Sequence, residues 1–212
     1  GTLDLSAVAG ISLIGDVTTS GLQTYLTPVT LGADVVLTAP AISFADTVNG
    51  ARTLDIAGDV QFGGAVGGGT ALTSLSVSGT GTLGGPSVRT TGDQSYGGSV
   101  VLNADNHLTA ANAVFSSALD GAHALQVTGN ARFDAAVGAT TPLASLSVSG
   151  TAAVNGGSVR TTGNQVYSGA TTLGADTILT ALTASFGGTL NGAHALDIIG
   201  AASFGGVVGG GS

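Results

Sequence analysis

Residues 123–133 of the chain read His-Ala-Leu-Gln-Val-Thr-Gly-Asn-Ala-Arg-Phe, and residues 144–154, 21 positions later, read Ala-Ser-Leu-Ser-Val-Ser-Gly-Thr-Ala-Ala-Val. Apolar and polar residues alternate in both segments, which is the pattern of a β-strand with one buried face. The central glycines, Gly129 and Gly150, fall on the inward phase, where a missing side chain permits a bend or a bulge. The alternation predicts the inward residues Leu125, Val127, Ala131 and Phe133, and the outward residues Gln126, Thr128, Asn130 and Arg132.

A longer repeat organises the rest of the chain, and its step is 71 positions. It links three sets of aromatic residues: Tyr25, Tyr96 and Tyr167; Phe44, Phe115 and Phe186; Phe62, Phe133 and Phe204. From residue 71 onward, the second and third units align without a gap, which indicates that each residue occupies a place in a lattice. We therefore predict one continuous domain over residues 1–212, with repeat units at approximately 1–70, 71–141 and 142–212.

Short strands broken by turn residues predict an all-β fold, a parallel β-solenoid (β-helix) in which each coil hydrogen-bonds to the next. We divide each repeat unit into about three coils of about 24 residues. Nine such coils at roughly 4.8 Å each make a rod about 43 Å long. The glycine-rich runs 63–69 and 205–211 recur in phase, so we predict that they form tight corners of the coil.

Composition excludes several classes of function. Only 8% of residues are charged and the net charge is −8, which argues against binding to nucleic acid or to an anionic membrane. No apolar run approaches the length of a membrane-spanning helix. The absence of cysteine excludes disulfides and thiolate metal sites and is compatible with export. The chain begins at Gly1 without a signal peptide, so we expect a processed product or an internal fragment.

Three short motifs carry a resemblance to a known family. They are Thr-Thr-Gly-x-Gln-x-Tyr (residues 90–96 and 161–167), Leu-Gly-Ala-Asp (31–34 and 173–176) and Asn-Gly-Ala-His-Ala-Leu (191–196). These motifs resemble repeats of large bacterial exoproteins, the filamentous-haemagglutinin-like adhesins of two-partner secretion and autotransporter systems. The resemblance implies a right-handed β-helical stalk that is extracellular and displayed at the bacterial cell surface.

We therefore expect a structural repeat segment, the shaft of a secreted adhesin, whose function is length and stiffness. The alternative is a self-assembling subunit of an extracellular fibre or biofilm matrix, because open solenoid ends expose unpaired backbone groups and stack head to tail. An ice-binding solenoid would need Thr-x-Thr on successive coils of one face, and no regular array occurs. The expected partners are neighbouring repeats or copies of the chain, end to end, with any host glycan or protein bound by regions outside it.

No catalytic, cofactor-binding or metal-binding residue is predicted. The segment 79–84 matches Gly-x-Gly-x-x-Gly, but no helix follows it to present its N-terminus to a pyrophosphate, so we interpret it as a turn. Asp34, Asp105 and Asp176 recur once per unit, too far apart to share a calcium ion, and we expect each to hydrogen-bond its own backbone in a turn.

The remaining candidates also favour structural roles. His123 and His194 are equivalent to Arg52, which predicts solvated outward positions rather than metal ligands. His107 replaces Val36 and Ile178, and we interpret it as a tolerated substitution. The three repeated tyrosines could stack on sugars, but we expect partly buried rim residues whose hydroxyls reach water. Polysaccharide-cleaving solenoid enzymes need clustered carboxylates, whereas the aspartates here are spread among the units, so we expect no enzymatic activity.

Overall fold

The computed structural model describes residues 1–209, which form 24 β-strands and no helix. In the first half of the chain the strands are β1 (Leu3–Leu5), β2 (Ile11–Leu13), β3 (Val17–Thr18), β4 (Gln23–Tyr25), β5 (Val29–Leu31), β6 (Val35–Phe44), β7 (Val48–Asn49), β8 (Thr53–Phe62), β9 (Ser74–Val77), β10 (Gly81–Leu83), β11 (Ser87–Arg89) and β12 (Gln94–Tyr96). In the second half they are β13 (Val100–Leu102), β14 (Asn106–Phe115), β15 (Leu119–Asp120), β16 (Ala124–Phe133), β17 (Ser145–Val148), β18 (Ala152–Val154), β19 (Ser158–Arg160), β20 (Gln165–Tyr167), β21 (Thr171–Leu173), β22 (Thr177–Phe186), β23 (Leu190–Asn191) and β24 (Leu196–Phe204). The predicted domain and its third unit run on to residues 210–212, which lie outside the described residues.

The strands stack in parallel as a β-solenoid of about 11 turns, which confirms the predicted fold class. Each coil contributes one short strand or bridge to each of three sides, and its neighbours above and below pair with it in register. The alternation read from residues 123–133 is also confirmed. Leu125, Val127 and Phe133 are buried, whereas Gln126 and Arg132 are exposed.

Three columns of inward residues, one per side, run along the solenoid. Side 1 contains Leu5, Tyr25, Phe44, Phe62, Leu83 and Leu102. Side 2 contains Val17, Leu37, Ile56, Val77, Tyr96, Phe115, Phe133, Val154 and Leu173. Side 3 contains Val29, Val48, Val66, Val88, Leu108, Val127, Val148, Tyr167, Phe186 and Phe204.

The predicted division of each unit into three coils is wrong, because the coils are shorter and more numerous. Ile42 pairs with Val60 and Val66 with Val88, so the step from one coil to the next ranges from 18 to 22 positions along the chain. The three sides are alike, so the 71-residue sequence unit need not end on the side where it began. One repeat unit covers three and two-thirds coils, which is a whole number of sides but not of coils. The echo between Leu125 and Leu146 is the true coil step at that place.

This mismatch moves equivalent residues from one side to the next. Tyr25 lies on side 1, Tyr96 on side 2 and Tyr167 on side 3. Each tyrosine is followed on its own side by the two phenylalanines of its unit, and the three rings stack. Adjacent ring centroids are 4.9 to 5.5 Å apart in all three stacks. Each unit thus places its aromatic core on a different side.

Glycines create the bend predicted at Gly129. Gly58, Gly129 and Gly200 adopt positive φ (149°, 126° and 141°), and the pairing register shifts beside each of them. A Cβ on Gly129 would collide with the carbonyl oxygen of Ala110 on the preceding coil. The glycine-rich run 63–69 turns between strands with Gly67 at φ 67°, as predicted for a corner. Its counterpart 205–211 is described only to Gly209, which has φ 72°.

Candidate functional site

A buried polar cluster recurs once in each unit, around Gln23, Gln94 and Gln165. In the second unit, the Gln94 amide nitrogen donates to the carbonyl oxygens of Val88 and Thr109, both at 3.0 Å. The Tyr96 hydroxyl donates to Gln94 Oε1 at 3.1 Å. The first and third units repeat these bonds around Gln23 and Gln165.

The expectation that the tyrosines lie at the rim with their hydroxyls in water is wrong. Tyr25, Tyr96 and Tyr167 have no exposed surface, because each hydroxyl finds its hydrogen-bond partner inside the core. Burial raises the pKa of Tyr25 to about 12 and raises the pKa of Tyr96 and Tyr167 further still. Sugar stacking on these rings is excluded by their burial.

The three repeated aspartates bridge neighbouring coils instead of closing their own turns. Oδ1 of Asp34, Asp105 and Asp176 accepts a hydrogen bond from the backbone N–H of Thr53, Ala124 and Ala195 respectively, each at 2.9 Å. The bonds span 19 residues, one coil, so the predicted contact with the aspartate's own backbone is wrong. The aspartates do lie at the bends between strands, as predicted. Because the next coil stacks directly against these bends, its backbone N–H groups become the hydrogen-bond partners.

The histidines lie on the outer surface, and two of them stand beside these aspartates. His123 Nδ1 is 3.5 Å from Asp105 Oδ1, and His194 Nδ1 is 3.4 Å from Asp176 Oδ1. The backbone hydrogen bond from Ala195, and then the His194 side chain, lower the pKa of Asp176. His107 is exposed and its Nε2 lies 2.8 Å from Thr128 Oγ1 on the next coil. Residues 1–209 contain no group of three or more histidine and acidic side chains able to hold a metal ion.

The Gly-x-Gly-x-x-Gly segment 79–84 contains strand β10, and a further strand, β11, follows it rather than a helix. The sequence match therefore lacks the helix N-terminus on which pyrophosphate binding depends. In the part of the chain that the structure describes, no helix is long and apolar enough to cross a membrane.

Two surface grooves, which sequence reasoning missed, occupy equivalent places one 71-residue step apart. The first, of about 270 Å³, lies on side 1 between two rows of outward residues. One row consists of Leu22, Ala41, Asp59 and Thr80, and the other consists of Thr24, Ser43, Gln61 and Thr82. The second, of about 350 Å³, lies on side 2, and its lining includes the equivalent residues Asp93, Asn112, Asn130, Thr151, Val114, Arg132 and Ala153. Finding them requires knowing which outward residues stack, which only the coil register reveals.

Comparison with known proteins adds no relative. No protein-family model matches the chain, and neither a curated protein nor a solved structure is detectably similar to it. The fold and its sites define a parallel β-solenoid built of three long repeats. The likeness to filamentous-haemagglutinin-like repeats and the absence of enzymatic activity stay predictions.

Proposed function

We propose that this chain is a stiff rod segment, the shaft of a secreted bacterial surface adhesin. The observation that carries the proposal is the single hydrophobic core, whose buried residues extend from Leu13 to Leu190 through the stacked coils. An active site in this fold needs a place where the repeat is broken to gather reactive groups. Here the features that repeat are the parallel pairing of strands, the stacked aromatic rings and the side-chain hydrogen bonds between coils.

Several interactions support stiffness along the axis. Backbone hydrogen bonds join each coil to the next on all three sides, and the aromatic stacks run parallel to the axis. Outward side chains add further links between coils: Asn49 Oδ1 accepts from the backbone N–H of Gly69 at 2.8 Å, and Asp120 Oδ1 accepts from that of Thr140 at 2.9 Å. Bending such a rod strains many bonds at once, because each coil is bonded to both neighbours.

The adhesin assignment is supported by the sequence resemblance and by composition. A cysteine-free chain with few charges is suited to export and to an extracellular setting. The extracellular location at the bacterial surface and the right-handed coil follow from the same resemblance.

Two measurements test this proposal. Small-angle X-ray scattering of the purified chain should give a rod about 50 Å long, from about 11 coils at roughly 4.8 Å each. Protease treatment and antibody labelling of intact source cells should reach the chain without lysis. A compact particle in solution, or labelling only after lysis, would contradict the rod or the surface location respectively.

Head-to-tail self-assembly is a second candidate, favoured by apolar exposure in the last described coil. Ile199, Phe204 and Val208 are 56%, 46% and 56% exposed. Their backbone edge would accept either further coils or another copy of the chain. Sedimentation velocity over a hundredfold concentration range distinguishes the candidates, because stacked copies grow with concentration and a rod segment keeps one sedimentation coefficient.

A further inference from the structure

The groove on side 1 differs from its counterpart in having unengaged polar groups. Within residues 1–209, the outward side chains of Thr24, Ser43, Gln61 and Thr82, here called the polar row, make no hydrogen bond to the protein, and all four line the groove. Asp59, in the opposite row, uses only Oδ1, which accepts from the Thr80 backbone N–H at 2.7 Å. The groove therefore presents hydroxyl, amide and carboxylate groups, one or more on each of four successive coils.

In the equivalent groove on side 2, Val114 and Ala153 replace two members of the polar row, and most of the polar groups in the lining are bonded within the protein. Asn112 Nδ2 donates to Asp93 Oδ1 at 2.7 Å, and Asn130 Nδ2 donates to Asn112 Oδ1 at 3.1 Å. Arg132, which stands where Gln61 stands in the first unit, forms an ion pair with Asp134 at 2.7 Å. The two grooves share their place in the repeat but differ in the polar groups they leave free, so side 2 serves as an internal comparison.

The chemistry of the side 1 groove limits its occupant. Backbone groups on its floor are paired between coils, so a peptide cannot add as a strand. Its only charged lining residue is Asp59, which disfavours anionic polymers. Leu22 is 54% exposed and forms, with Ala41, an apolar strip beside the polar row. Free hydroxyl and amide groups beside an apolar strip suit a ligand that carries both hydroxyl groups and apolar C–H surfaces.

We propose that the side 1 groove binds a neutral, extended oligosaccharide that lies along the rod axis. Four coils at roughly 4.8 Å per coil give it a length of a few sugar rings. The polar row hydrogen-bonds the sugar hydroxyls, and the apolar strip contacts the ring C–H groups. This role goes beyond that of a rod and does not rest on the adhesin assignment.

The test is an NMR titration of the isotope-labelled whole chain with cellotetraose, a neutral and extended β-1,4-linked glucan. We expect saturable shifts of amides in segments 22–24, 41–43, 59–61 and 80–82, with a dissociation constant in roughly the millimolar range that is typical of a shallow polar site. The variant Gln61→Arg fills the groove with a side chain that the fold already accepts at Arg132. It should weaken binding about tenfold or more, because it removes an amide and blocks the cleft.

The matched control is Ser95→Arg, which changes the residue equivalent to Thr24 on side 2 and should bind like the unaltered chain. Thermal unfolding of both variants checks that each remains folded. Three results would overturn the proposal. They are no saturable shift up to about 20 mM cellotetraose, shifts spread equally over side 2, and unchanged binding by a folded Gln61→Arg variant.

Discussion

Gln94 illustrates how a polar side chain in the core of this solenoid serves several partners at once. Its amide nitrogen bonds two backbone carbonyl oxygens and its Oε1 accepts from the Tyr96 hydroxyl. Gln94 has no exposed surface, so loss of its amide leaves these partners without solvent to replace it. An unsatisfied buried polar group costs about 1–3 kcal/mol.

We expect Gln94→Leu to lower the free energy of unfolding by about 3 kcal/mol or more, since several buried partners lose their bonds together. The measurement is urea-induced unfolding followed by circular dichroism. Gln126→Leu is the matched control, because Gln126 is exposed on the outer surface. It should change stability by about 0.5 kcal/mol or less. Equal effects of the two substitutions would contradict the importance of the buried cluster.

The buried tyrosines make stability sensitive to alkaline pH. Burial disfavours the ionised phenolate, so the pKa of Tyr25 is about 12 in the folded chain against 10.0 for an unperturbed tyrosine. The unfolded state therefore loses its proton first as the pH rises. The stabilising contribution is complete below pH 10 and is lost as the pH rises through about 12. The ultraviolet absorbance of tyrosinate should appear together with unfolding. Tyrosinate formation near pH 10 in a chain that stays folded would show instead that the rings are accessible.

The inward phase of these residues is predictable from sequence, but their burial is not. Gln94 and Tyr96 are two positions apart, so alternation places both on the same face of a strand. The tyrosine hydroxyl alone predicts a partly buried rim position in contact with water, because polar groups are seldom buried without partners. The partners are carbonyl oxygens such as that of Thr109, on the next coil, which no local pattern identifies. The Gln-x-Tyr spacing on an inward phase was the available signal.

Among the elements, the bend in β16 leaves no room for a side chain. Gly129 adopts φ 126°, and a Cβ there would collide with the Ala110 carbonyl oxygen on the neighbouring coil. Gly81 occupies an inward position in β10, yet a Cβ there would meet only the Val100 and Tyr96 side chains, at 3.7 and 3.8 Å. The two strand glycines thus differ in the room that surrounds them.

We expect Gly129→Ala to destabilise the chain by about 2 kcal/mol or more, because strained backbone and a clash with main chain combine. Gly81→Ala should be neutral or should stabilise the chain by up to about 1 kcal/mol, since alanine reduces the entropy of the unfolded state. Thermal unfolding of the two variants under identical conditions provides the comparison. A higher melting temperature for Gly129→Ala than for Gly81→Ala would contradict the geometry of the bend.

At the scale of the whole molecule, the repeat unit rather than the single coil is the part that can be removed cleanly. Deleting residues 72–142, one whole unit, joins Ala71 to Leu143, which is equivalent to Leu72, so the third unit meets the first as the second does now. Deleting only 72–95, the length of one predicted coil, brings the exposed Ser99 and Val101 to the places where Leu75 and Val77 are buried. Alternation permits the first deletion and inverts the faces in the second.

We expect the whole-unit deletion to fold cooperatively into a rod shorter by about 18 Å, which is three and two-thirds coils at roughly 4.8 Å each. The shorter deletion, 72–95, should lose the cooperative transition. Scattering measures the length, and circular dichroism during heating measures the transition. An unfolded whole-unit deletion variant beside a folded 72–95 deletion variant would contradict the coil assignment.

The aromatic stack lies on side 1 in the first unit, side 2 in the second and side 3 in the third, which matters when the gene gains or loses a repeat unit. Repeated genes gain and lose whole units by recombination, and each unit here advances the rod by two-thirds of a coil beyond three full coils. A descendant with one unit more or fewer therefore keeps an intact core, but anything attached beyond the array points in a direction turned by a third of a revolution. Only a change of three units restores the original orientation about the rod axis. A change in the number of units therefore alters the length of the rod and the orientation of its end together.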